Sequence, residues 1–124
     1  ESARDVLPYA RAVVISIEDV RGDEDAARAV ASRAQVGVVT RGAGGCTVFL
    51  NGEPHHVPAP AVEEVDPTGA GDIFATTFFI ELCATGDALR AARFATLLAS
   101  DSVSRSGLDA IPTADIIHRA REMV

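Results

Sequence analysis

The chain has 124 residues, 48% hydrophobic and 23% charged, which fits one compact globular domain or part of a larger one. A formal net charge of −7 argues against nucleic acid or an anionic membrane as a partner. All eleven cations are Arg, which excludes a P-loop lysine, a Schiff-base lysine and a lysine general base within this segment.

Any phosphate must therefore be met by Arg, backbone amides or a metal, although all-Arg usage also fits a GC-rich genome. Aromatics make up 5%, so the core is expected from Val, Ile, Leu and Ala. Cys46 and Cys83 form no CxxC pair and are expected as buried free thiols of a reducing compartment. No apolar run of about 18 residues and no signal peptide is seen, so a soluble cytoplasmic protein is expected. An opening at Glu1 without Met reads as a fragment or a processed piece.

In chain order, "AVVISI" (12–17) reads as a buried β-strand. "GDEDAARAVASRA" (22–34) has acids in front and apolar residues at helical spacing, and predicts a helix. "VGVVT" (36–40) predicts a second buried strand. Strand, helix, strand implies a right-handed crossover in a parallel sheet. "RGAGG" (41–45) is a turn, and 46–60 reads as a hairpin turning at Asn51-Gly52. Residues 62–71 lead into a helix from Asp72 to Thr85, ended by Gly86. A long helix follows over 87–105 with Asp87 as N-cap, then a loop over 107–112. A last helix runs over 113–124 from an N-cap at Thr113. The pattern is α/β.

Chemistry concentrates in Gly69-Ala70-Gly71-Asp72. Two glycines let the backbone come close to a ligand and adopt positive φ. The first amides of the following helix lack intrahelical partners and carry the positive end of its dipole. Together they form an anion hole suited to a phosphoryl group. A carboxylate beside that anion repels it, so Asp72 makes sense as a base for an attacking hydroxyl. The competing reading is local: Asp72 caps the helix and the glycines make the turn. Two other features carry less. Gly42-Ala43-Gly44-Gly45 starts like a dinucleotide fingerprint, but a strand follows instead of a helix. His55 and His56 are neighbours on a strand, point to opposite faces and are expected to be solvated. His118 is expected on the surface.

"DPTGAGD" (66–72), followed by Ile73-Phe74-Ala75, resembles the C-terminal signature of the PfkB carbohydrate kinases, the ribokinase-like family. "VVTRGAGGCTVF" (38–49) resembles that family's strand–turn–strand with a T-x-G-x-x-G core, and 92–117 resembles its nucleotide-side helix and following loop. "VVISIEDV" (13–20) is similar to the strand leading to its N-x-x-E motif, with Ser16 and Asp19 in place of Asn and Glu. The likeness covers nearly the whole chain, but only the C-terminal part of such a kinase. It implies a three-layer, Rossmann-like (ribokinase-like) sheet with flanking helices. Residues 1–124 would be the nucleotide-binding and catalytic part, without the N-terminal substrate and lid part.

The resemblance also implies roles. Asp72 takes the place of the catalytic base, and Gly69, Ala70 and Gly71 that of the anion hole. Thr40, Gly42 and Gly45 match the turn against the nucleotide, with Thr96 on the nucleotide-side helix. K⁺ or another monovalent cation would be held by Asp66, Thr68 and the loop around Ser102, Arg105 and Gly107. Glu18 or Asp19 would order Mg²⁺ through water. The expected activity is transfer of phosphate from ATP to a hydroxyl of a small sugar or polyol. The intact protein could form a homodimer. The alternatives are a nucleotide-binding or regulatory module without turnover, and a different nucleotide-using α/β protein that shares only the glycine turn.

Overall fold

The computed structural model describes residues 11–105 and 112–124, in two units that divide between Val57 and Pro58. In the first unit the β-branched run forms β1 (Ala12–Ser16), parallel to β2 (Val36–Thr40) from Ala12 beside Val36 to Ser16 beside Thr40. The crossover holds a 3₁₀ turn (Ile17–Val20) and helix α1 (Glu24–Ala31). Asp23 caps α1 by accepting the Ala26 N–H at 3.1 Å, so α1 is shorter at both ends than the expected 22–34. β3 (Cys46–Leu50) and β4 (Glu53–Val57) form the expected hairpin. Asn51 and Gly52 turn it at φ of 52° and 88°, the positive-φ pair that matches strand twist.

The four strands lie in sequence order, parallel between β1 and β2 and antiparallel thereafter. β1 ends that order, and all five of its residues are half-buried instead of buried. One sheet face carries Val39 and Phe49, packed with Ala27 and Ala31 of α1 and flanked by Ile15, Ile17 and Val20. Gly37 sets how closely α1 approaches: a Cβ there would lie 1.9 Å from the Ala31 carbonyl oxygen. His55 is half-buried and His56 exposed on successive positions of β4, so the solvated expectation holds for His56 and only partly for His55.

The second unit is helical: α2 (Ala70–Thr85), α3 (Ala88–Val103) and α4 (Ala114–Glu122). Gly86 ends α2 at φ 71°, with its N–H on Leu82 O. Asp87 and Thr113 cap α3 and α4 as expected, accepting the amides of Arg90 and Ile116. α4 packs on α3 through Ile116 and Ala120 against Phe94 and Leu98. Arg121 of α4 lies 5.0 Å over the Phe94 ring and 3.3 Å from the buried Glu81 of α2. α2 buries Phe74, Phe78 and Glu81, one helical stripe. Cys83 lies two residues past Glu81, about 200° round the helix, and is exposed. The expectation of two buried thiols therefore holds only for Cys46. His118 is on the surface, 3.4 Å from Glu122. Among the described residues no helix is long and apolar enough to cross a membrane.

Candidate active site

Helix α2 starts at Ala70, two residues before the expected Asp72, because Gly69 takes the N-cap position at φ 82°, ψ −6°. A Cβ on Gly69 would meet nothing within 4 Å. What demands glycine there is the left-handed backbone, which costs other residues about 1–2 kcal/mol. Gly71 is different: its φ is not positive, and a Cβ there would also meet nothing within 4 Å. The expected positive-φ role therefore belongs to Gly69 alone, and folding places no demand for glycine at 71.

The first intrahelical bond runs from Ile73 N–H to Gly69 O at 3.0 Å, and the Ala70 N–H turns back to Pro67 O at 3.2 Å. Among the described residues no backbone or side-chain oxygen takes the amides of Gly71 and Asp72. These two donors sit at the positive end of a 16-residue helix. The Asp72 side chain is exposed in the first turn and makes no capping bond. A helix cap therefore does not account for it.

The residues expected around a monovalent cation are drawn together by the backbone. The amides of Val65 and Asp66 both donate to Val103 O, at 2.6 and 2.9 Å, which lays this segment against the C-terminal end of α3. Asp66 Oδ1 accepts the Thr68 N–H at 3.0 Å. That bond, with one from the Thr68 hydroxyl, holds the Asp66 carboxyl below its ordinary pKa. The Ser102 carbonyl already accepts the amides of Ser104 and Arg105. Its hydroxyl, in a residue 0% exposed, has no partner among the described residues, and neither has the buried Oδ2 of Asp101. Asp101 Oδ1 holds Arg105 at 2.9 Å. Such orphaned buried oxygens fit a cation better than they fit an apolar core. Gly107 lies outside the described residues. Thr96 is buried on α3, 5% exposed.

In the first unit the expected nucleotide turn follows β2. Arg41 N–H donates to Gly45 O at 2.8 Å, Gly44 N–H to Arg41 O at 3.1 Å and Gly45 N–H to Gly42 O at 3.0 Å. Gly42 and Gly45 have φ of 59° and 79°. Thr40 pairs with Ser16 at the end of β1, so the turn and the segment after β1 share the carboxyl edge of the parallel pair, where open α/β sheets bind ligands. In that segment Ser16 N–H donates to Asp19 Oδ2 at 3.0 Å, and Glu18 N–H to Ser16 Oγ at 3.2 Å. The residues that replace the family's Asn and Glu thus satisfy each other in a capping box. Glu18 is exposed. Among the described residues no three His, Cys, Asp or Glu side chains gather into a metal cage.

One contact was not legible in the sequence. Arg41, inside the turn, places Nε and Nη2 on the two carboxylate oxygens of Glu24 at 2.9 and 2.8 Å, and Nη1 on Thr47 Oγ1 at 2.7 Å. The bond to Arg41 holds the Glu24 carboxyl below its ordinary pKa, and the same bond raises that of Arg41. A shallow cavity of about 350 Å³ beside this pair sets Glu24 and Asp25 against Arg28 and Arg41, so it has no charge excess to select an ion.

Comparison with known proteins places the chain in a family. Residues 5–114 match the model of the pfkB family carbohydrate kinases. The bifunctional protein HldE of Caulobacter sp. (strain K31) is 37% identical over 103 residues, which are 77% of this chain and 21% of that protein. An E. coli protein assigned as a ribokinase II, solved with ATP and Mg²⁺, is 26% identical with a TM-score of 0.77 over 97% of this chain and 42% of that one. A fructokinase double mutant of Vibrio cholerae O395, solved with fructose, ADP and potassium, is 25% identical with a TM-score of 0.77 over 94% of this chain and 42% of that one. The chain thus spans about a fifth of the HldE protein and about two fifths of these solved kinases. Its fold is α/β and ribokinase-like. The chain belongs to the pfkB family of carbohydrate kinases.

Proposed function

We propose that this chain is the C-terminal, nucleotide-side and catalytic part of a kinase that moves the γ-phosphate of ATP onto a hydroxyl of a sugar or related polyol. The observation that supports this most is the start of α2. Among the described residues, two amides without protein acceptors stand beside an exposed carboxylate that neither caps the helix nor pairs with a cation. The amides of Gly71 and Asp72, with the helix dipole, stabilise charge on the phosphoryl group in transfer. Asp72 takes the proton of the attacking hydroxyl. Thr40, Gly42, Gly45 and Thr96 are the nucleotide-side residues. Glu18 or Asp19 orders the water around Mg²⁺, which supplies charge neutralisation to the phosphates when bound. Asp66, Thr68, Ser102, Arg105 and Gly107 hold a monovalent cation, and the Ser102 hydroxyl, without a partner among the described residues, fits that role.

The test is ADP release by the intact protein that carries this chain, against a panel of ribose, fructose, inositol and nucleosides, with and without K⁺. The expected result is acceptor-dependent turnover for one class, raised by K⁺. Nucleotide binding with no acceptor-dependent turnover would favour a regulatory module instead. The short span against the solved kinases favours a narrower form of that second reading. The isolated 124 residues are expected to turn over little or nothing, because excluding water needs the acceptor and lid parts.

Gly71 gives a second check. Gly71→Ala is expected to leave the fold intact or to stabilise it by up to about 0.8–1 kcal/mol, since alanine is the better helix former. Turnover should fall at least about tenfold, because the methyl stands where the phosphoryl group must meet the amides. Thermal melts read alongside steady-state rates decide it. Unchanged turnover would remove residue 71 from the anion hole.

A further inference from the structure

We propose that Arg41, clamped by Glu24 and Thr47, is a positioning residue that sets nucleotide affinity by holding the turn 41–45 in its binding shape. The inference rests on the reading of that turn as the nucleotide turn. Arg41 is the only residue in the turn whose side chain is long enough to tie it to anything else. Both carboxylate oxygens of Glu24 and the Thr47 hydroxyl take its donors, so α1, the turn and β3 meet on one guanidinium. The backbone of Arg41 closes the same turn, donating to Gly45 O and accepting from Gly44. Gly44 lies tight against it: a Cβ at Gly44 would be 3.3 Å from Arg41 Cβ. With its guanidinium on the two Glu24 oxygens, on Thr47 Oγ1 and, at 3.5 Å, on Val39 O, the Arg41 side chain tethers the turn and limits how far its backbone can shift.

The pair is partly open, with the Arg41 side chain 24% and that of Glu24 57% exposed. An isolated surface ion pair adds little to stability. A planar fork on two oxygens adds geometric definition as well. The effect should therefore appear in ligand affinity, where the geometry of the turn is read, more than in the melting temperature.

The experiment uses the intact protein, with ADP–Mg²⁺ binding by calorimetry, steady-state kinetics and thermal melts. Glu24→Gln is expected to weaken ADP and raise KM for ATP together, roughly five- to tenfold, with kcat and the acceptor KM within about twofold. Arg41→Lys should match it, because an ammonium cannot hold both oxygens and Thr47 at once. Adding Glu24→Gln to Arg41→Ala should change nothing further, as expected for residues acting as one unit. Should Glu24→Gln fail to fold, Thr47→Val removes one arm without touching the charges and should weaken ADP in the same direction. Unchanged ADP affinity in a folded variant overturns the clamp, as does a parallel loss of kcat, acceptor KM and melting temperature. An unmodified protein that neither binds ADP nor turns over ATP overturns the kinase reading itself, and the clamp with it.

Discussion

Asp72→Asn in the intact protein is expected to lower kcat by about 10²–10⁴-fold, the range of a positioned general base, while the protein stays folded and nucleotide affinity holds or improves. Each part of that expectation has its own source. Asn keeps the shape of the side chain and removes only the basic oxygen, so the loss falls on proton transfer. Asp72 is exposed and makes no capping bond. Its one structural asset is a negative charge near the positive end of α2, worth about 0.3–1 kcal/mol, and the unfolding free energy should drop by no more than that. The nucleotide expectation runs against intuition. A carboxylate beside a phosphate repels it, so removing the charge relieves ground-state repulsion and should leave ADP binding equal or tighter. A base that also held the ligand would give the opposite sign. Unchanged kcat would remove Asp72 from the chemistry, and a collapse of the melting temperature would return it to the helix.

The parts of this molecule that the sequence makes legible are those in which a few neighbouring residues settle their own backbone. Asp87 and Thr113 cap their helices through amides three residues on, and Gly86 ends α2 by a left-handed turn. Asn51-Gly52 needs only the dihedrals of its own two residues to make the hairpin. The glycine turn at 69–72 belongs to the same class, although the sequence suggests a start at Asp72 and a shared role for both glycines. Gly69 supplies the left-handed residue, the helix begins at once behind it, and Gly71 is released from any duty in folding. Ser16 and Asp19 read as a weakened motif, yet they satisfy each other locally. The contact between Arg41 and Glu24 spans 17 residues and depends on where the crossover sets α1 down, so no local spacing announces it. The exposure of Cys83 likewise depends on which stripe of α2 is buried, and an evenly apolar helix does not specify its own inner face.

Gly37→Ala is expected to destabilise the intact protein by about 3 kcal/mol, near the upper end of what overpacking costs. Gly37 sits in β2 between Val13 of β1 and Phe49 of β3. The added methyl would lie 1.9 Å from the oxygen, 2.5 Å from the carbon and 2.7 Å from the Cα of Ala31. These are backbone atoms of α1, and no rotamer change removes them. The helix must move off the sheet, and Ala27 and Ala31 then lose Val39 and Phe49. Glu24 rides on the same helix, so its hold on Arg41 loosens as well. The variant should therefore lower the denaturation midpoint and weaken ADP together, whereas Asp72→Asn separates turnover from both. Gly71→Ala is the matched control: the same methyl, added to a helical glycine with nothing within 4 Å, is expected to leave the midpoint unchanged or raised. Urea denaturation of the two alanine variants side by side, with ADP titrations on each, makes the comparison. A loss below about 1 kcal/mol for Gly37→Ala would mean that α1 has room to withdraw at little cost, and that the closeness of its packing is not what holds this unit in shape.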